Sequence, residues 1–152
     1  MAQFKANAEQ NVLLNSAIVF DSSIPCPRGN IYHESGSGIF ILRGPSCNSC
    51  NRFARYQVIF NGNISVPAGG TAGPIAVAIT VNGEVESASR SIYTPAAAGA
   101  YGNVTSIATI DVPRGLALTM SVRAVDGTTA DGATPAPSIN QINGLLDIQR
   151  MA

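Results

Sequence analysis

The amino-acid sequence predicts an all-β fold, a jelly-roll β-sandwich, on three observations. Apolar residues recur with a period of two along most of the chain, as in strands that lay one face on a core. Pro, Gly and Asn punctuate these runs at VPAGGTAGP (66–74), TPAAAGAYG (94–102), DVPRG (111–115) and DGTTADGATPAP (126–137). No segment sustains a 3.6-residue period, and about eight to ten short strands separated by turn chemistry build a sandwich.

Residues 1–10 stand outside the pattern. QFKANAEQN is polar and without alternation, and reads as an N-terminal arm ahead of a single jelly-roll domain spanning 11–152. The first predicted strands are NVLLNSAIVF (11–20), GIFILRG (38–44) and FARYQVIFNGN (53–63). In GPIAVAITVNGE, Ile75, Val77, Ile79 and Val81 alternate with Ala76, Ala78 and Thr80, so a large β-branched face backs a small one. Such a strand is closely approached on both sides. Asn82-Gly83 supplies the positive-φ pair of a tight hairpin turn, which sends the chain back through Glu84 to Tyr93. GNVTSIATIDV (102–112), GLALTMSVRAV (115–125) and SINQINGLLDIQR (138–150) complete the set.

Composition narrows the class. At 12% charged residues, against roughly 25% in an average soluble domain, the surface is poor in charge and suits burial against other subunits. Nine basic residues balance nine acidic ones, Lys5 is the sole lysine, and no basic run exists; nucleic acid is not an expected partner. The N-terminus carries no signal-peptide pattern, and no apolar stretch approaches the roughly 20 residues of a membrane span. A soluble protein made in a cytosol is expected.

The runs PCPRGNIYHESGSGIFILRG, RYQVIFNGNISVPAGGTAGPIAVAITVNGE, SRSIYTP and NVTSIATIDVPRG resemble the tumour-necrosis-factor-like, complement-globular-head-like jelly rolls of small bacterial and bacteriophage proteins, over residues 11–150. The resemblance implies a homotrimer, placed on a virion surface or as a head on a collagen-like stalk. This chain has no Gly-X-Y tract, which favours the virion. The small face of Ala76, Ala78 and Thr80 gives the trimer a physical basis, since small side chains let a neighbouring surface approach. Aromatic residues such as Phe40, Tyr56, Phe60 and Tyr101 either fill an axis between three copies or lie in the intramolecular core. Ala76, Ala78, Thr80, Tyr56 and Tyr101 are therefore the candidate interface residues.

Chemistry-bearing residues are few. Cys47 and Cys50 stand in a C-x-x-C spacing, and with Cys26 and His33 they make a nominal zinc set, but the spacing to His33 fits no standard knuckle. A redox C-x-x-C needs a helix N-terminus that the pattern does not supply. A disulfide from Cys26 to Cys47 or Cys50 requires an oxidising compartment. The reading is a loop with no metal, no cofactor and no assigned thiol chemistry. With one histidine and no G-x-S-x-G elbow, no nucleophilic triad emerges; Glu84 and Glu86 share a strand face but lack a third group to tune them. No enzyme is expected.

Charge placement points to docking. Between residues 26 and 60, Arg28, Arg43, Arg52 and Arg55 face only Glu34, so one end of the sandwich is positive and suits an acidic protein lattice. The expected function is a trimeric decoration or cement protein on a bacteriophage capsid, with the major capsid protein as partner. Gln3, Phe4 and Lys5 of the arm and the four arginines are the candidate contacts. The alternatives are a receptor- or carbohydrate-binding fibre head, using loops 94–101 and 126–137, and a bacterial surface or spore-layer protein.

Overall fold

A computed structural model of the chain describes residues 1–24, 29–128 and 134–151. Among them the period-two runs form the strands β1 (Ala2–Ala6), β2 (Gln10–Leu13), β3 (Ser22–Ile24), β4 (Ile31–His33), β5 (Phe40–Arg43), β6 (Phe53–Ser65), β7 (Ile75–Val81), β8 (Glu84–Val85), β9 (Ser91–Tyr93), β10 (Gly102–Pro113), β11 (Ala117–Asp126) and β12 (Ser138–Arg150). They make two antiparallel six-stranded sheets. The first runs β10-β6-β12-β1-β3, with β2 also on β12; the second runs β4-β5-β11-β7-β8, with β9 also on β7. This is the jelly-roll sandwich that the alternation predicts.

The core between the sheets is organised by four of the five phenylalanines. Phe4, Phe20, Phe40 and Phe60 are buried and meet edge to face, Phe4 with Phe40 at 4.7 Å, Phe20 with Phe40 at 5.5 Å and Phe20 with Phe60 at 6.3 Å between ring centroids. Edge-to-face pairs add about 0.5–1.5 kcal/mol each beyond the area they bury. The chain of rings links β1 and β6 of one sheet to β5 of the other.

Two expectations are corrected here. Residues 1–10 are not an arm: β1 lies between β12 and β3, pairing Phe4 with Leu146 and with Ser23, and Ala2, Phe4 and Ala6 are buried. The physical reason is alternation carried by small side chains, because Ala2 and Ala6 seal the space on either side of the Phe4 ring. The hairpin return is likewise not one strand. Asn82 (φ 51°) and Gly83 (φ 84°) make the expected turn, but β8 stops after two residues and a 3-10 turn over Ser87–Ser89 intervenes before β9. There the Ser89 hydroxyl accepts the Ile79 N–H at 2.9 Å, standing in for the missing backbone partner.

Polar side chains also tie the first sheet to its loops. Gln10 receives the Val19 N–H on Oε1 at 2.9 Å and donates from Nε2 to the Val19 carbonyl and to Gln141 Oε1. Gln141 is fully buried. Just beyond it β12 carries a bulge between Ile142 and Leu145, made possible by Asn143 at φ 53°. The extra residue switches which residues of β12 face outward, from even-numbered to odd-numbered.

Candidate functional site

The outer face of the first sheet is a built surface that the core does not use. Its rows follow from register: Ile107 of β10 stands beside Ile59 of β6, which stands beside Asp147 of β12 and then Gln3 of β1. The adjoining row is Thr105, Asn61, Leu145 and Lys5. Ile107 is 53% exposed and Leu145 38%. Around this apolar centre the amides pair with one another: Asn61 Nδ2 donates to Asn103 Oδ1 at 2.9 Å and to Thr105 Oγ1 at 2.7 Å, and Asn103 Nδ2 donates to Asn63 Oδ1 at 3.2 Å. Such a face is mostly amide and hydroxyl, with Asp147 beside Ile59 and Lys5 beside Leu145 as the charges nearest its apolar residues. Asp147 Oδ1, in the same outward phase, is shut from solvent without a hydrogen-bond partner among the described residues.

Tyr101 precedes β10 at one end of this face and is 41% exposed. Partial burial pushes its phenol up, a hydrogen bond with Ser65 opposes the rise, and the nearby Glu9 carboxylate adds to it. At the opposite end Arg55 is paired with Asp111.

The predicted interface residues divide sharply. Tyr101 has surface to offer. Ala76, Ala78 and Thr80 have essentially none, and the assignment of that strand face to a trimer contact is corrected: across it stand Val125, Arg123 and Ser121 of β11 and Ile92 of β9, and Thr80 Oγ1 lies 2.6 Å from Ser121 Oγ. Larger neighbours close over small residues within one chain. Tyr56 is corrected too. It is fully buried in the core with Phe40 and Phe60, and its hydroxyl donates to the carbonyls of Arg43 and Asn30.

The docking candidates are scattered rather than gathered. Phe4 is core, Gln3 is half-buried and Lys5 is exposed on the outer face of β1. Arg43 and Arg52 are exposed near the loop between β5 and β6, Arg55 is neutralised by Asp111, and Arg28 lies outside the described residues. Of the nominal zinc set, Cys26 also lies outside them. His33 stacks on Phe40 at 4.3 Å and donates from Nε2 to the Ser37 carbonyl at 2.8 Å, while Cys47 and Cys50 are exposed. Among the described residues no group of three or more His, Cys, Asp or Glu side chains is placed to hold a metal ion. Glu84 and Glu86 are exposed beside the hairpin turn.

Ile59, Ile107 and Leu145 were not among the sequence candidates, although one signal was present. In TSIATID the outward positions are Thr105, Ile107, Thr109 and Asp111, and Ile107 alone is apolar.

At the other end from Arg55, segments 66–74 and 134–138 border an open cleft of about 500 Å³. Prolines, glycines, alanines and small hydroxyl residues line it, and no titratable side chain does. It offers shape and backbone groups rather than acid–base chemistry.

Comparison with known proteins places the fold. The globular domain of zebrafish complement 1qA protein aligns with 99% of this chain and 97% of its own at a TM-score of 0.61 and 10% sequence identity. At that identity the likeness is one of fold, the C1q and tumour-necrosis-factor-like jelly roll. No protein-family model matches the chain, and no curated protein matches it in sequence.

Proposed function

We propose that this chain is a non-enzymatic structural protein that assembles as a homotrimer through the outer face of its first sheet, and that the trimer decorates a bacteriophage capsid. The observation that carries self-association is the row of Ile107 and Ile59 beside Leu145, apolar side chains in the outward phase of strands whose other outward residues are mostly Asn, Thr and Gln. Burying an exposed side chain of this size contributes about 1.5–3 kcal/mol, and Ile107 and Leu145, 53% and 38% exposed, offer roughly half of that each. The self-paired amides around them carry no charge, while Asp147 beside Ile59 and Lys5 beside Leu145 must be paired across the contact or held at its rim. Three-fold closure is heterologous, each copy presenting two different edges of this face to its two neighbours, and it leaves no open end.

Decoration is the finer reading, and it rests on the resemblance together with charge placement. Arg43 and Arg52 are exposed at one end of the sandwich, where they suit an acidic capsid lattice. Bridging capsomers there would bury surface at each contact and stabilise a shell strained by its genome. In this reading the protein is made in the host cytoplasm and carried on the virion, with the major capsid protein as partner and no nucleic acid or membrane.

A fibre head that binds a receptor or carbohydrate is the second reading, favoured by the cleft of about 500 Å³ between loops 66–74 and 134–138. Native mass spectrometry should give a mass near three times 15.7 kDa, and a monomer persisting at high concentration overturns the assembly. Co-sedimentation with undecorated capsids supports decoration. Saturable binding to a glycan array without capsid binding replaces it with the fibre head.

A further inference from the structure

The loop joining β5 to β6, GPSCNSCNR (44–52), holds two thiols that the proposed function does not use. Cys47 and Cys50 are both exposed and unpaired. Four hydrogen bonds seat the loop on the turn between β10 and β11 without involving either sulfur. Gly44 N–H donates to Leu116 O, Gly115 N–H to Pro45 O and Arg114 N–H to Arg52 O, while Arg114 Nη1 donates to Ser49 O, each at 2.8 Å. The position of the pair is thus set by backbone.

Three features give the pair its chemistry. Three residues of extended chain span about 10 Å, too far for a disulfide, but the Ser49 N–H donates to Ser46 O at 2.9 Å, so the chain from Cys47 toward Cys50 starts in a turn rather than extended. Next, the Cys47 sulfur lies on the open side of Gly115, where a Cβ would come within 3.0 Å of it. Finally, the Arg114 guanidinium sits on the carbonyl of Ser49, a residue that stands between the two cysteines in the chain, and exposed Arg52 follows Cys50 by two residues. Among the described residues neither arginine makes an ion pair.

We propose that Cys47 and Cys50 form a reversible dithiol–disulfide site that exchanges with anionic low-molecular-weight disulfides, glutathione disulfide being the type. One cysteine thiolate attacks a sulfur of glutathione disulfide, forming a mixed disulfide and releasing one glutathione thiolate. The second cysteine then attacks the protein-side sulfur of that mixed disulfide, closing the Cys47–Cys50 bond and releasing the second glutathione. Two protein thiols are oxidised, one disulfide is reduced, and the two thiol protons pass to the released thiolates. The arginines draw the anionic reagent in. With no helix at the site, this is a modification of the protein itself rather than a disulfide oxidoreductase centre.

Tryptic cleavage after Arg43 and Arg52 isolates both cysteines in the peptide 44–52, apart from Cys26. The full chain, equilibrated with mixtures of reduced and oxidised glutathione and then alkylated, should yield that peptide lighter by two hydrogens and unalkylated as the main oxidised product, in Cys26→Ser as in the parent. Links from Cys26 to either thiol, stable adducts with two glutathiones, or disulfide-bonded dimers as the main product overturn the proposal. Arg114→Gln should slow closure several-fold at low salt and little at high salt, because exposed charges are screened within about 10 Å at 0.1 M; an equal rate at low salt overturns the part given to the arginine.

Discussion

Arg55 on β6 and Asp111 on β10 face each other in register and are joined by two parallel hydrogen bonds of 2.7 Å, Nε to Oδ1 and Nη2 to Oδ2. The guanidinium also lies 5.2 Å from the centre of the Phe53 ring. Both partners are more than two-fifths exposed, so the pair matters more for what it does to surface charge than for stability. It removes one arginine from the positive end that the sequence pattern implied.

The pair also predicts a pH dependence. The hydrogen bonds from Arg55 hold the Asp111 carboxyl below the ordinary aspartate value of 3.8, and that hold is lost on unfolding. A carboxyl depressed in the folded state stabilises above its unfolded value, and the contribution disappears as pH falls through the folded value. Thermal melts should therefore show a small deficit for Asp111→Asn at neutral pH that closes in strong acid. A deficit constant across that range would show that the carboxylate charge plays no part.

β1 supplies the second prediction. Because Phe4 is buried among Phe40 and His33 at ring distances of 4.7 and 5.0 Å, Phe4→Ala should cost about 3–5 kcal/mol in chemical denaturation. Deleting residues 2–10 removes a strand between β12 and β3 together with the Gln10 contacts, and should leave a chain without a cooperative transition. A truncated protein that melts like the parent would restore the arm.

Where the sequence succeeded and failed follows from what periodicity can encode. Strong β-branched alternation in β7 and the Asn82-Gly83 pair were legible because each is local. β1 was hidden because two of its three inward residues are alanines, which register weakly in any apolar pattern. The face of Ala76, Ala78 and Thr80 was visible as small, but whether it meets another copy or its own neighbours depends on β9 and β11, whose register is non-local. For the same reason Ile107 could be read as an outlier, while its pairing with Ile59, and the place of Leu145 one row away on β12, could not.

The Gln10 network supplies the third prediction. Gln10→Ala would strand the Val19 N–H and carbonyl and leave Gln141 Oε1 without its donor. Orphaning a buried polar group costs about 1–3 kcal/mol. Chemical denaturation should show a loss in that range, and the Val19 amide should exchange with solvent much faster by hydrogen-exchange mass spectrometry. Unchanged exchange at Val19 would mean that another acceptor had taken its place.

The last prediction separates assembly from folding with two arginines placed on opposite sheets. Ile107 stands on the outer face of β10 with half its surface open, so Ile107→Arg can project into water in a lone chain and should leave its fold intact. On the proposed assembly face the same guanidinium would be pressed against copies of Ile59 and Leu145, where an unpaired charge costs several kcal/mol, and light scattering should then show monomers. Ala78→Arg tests the contrasting site. Ala78 has no accessible surface and stands in register beside Arg123 of β11, so the substitution crowds like charge into a closed layer and should lower the stability of the chain itself, whatever its assembly state. Should Ile107→Arg stay fully assembled while folded, the outer face of the first sheet would be excluded as the contact.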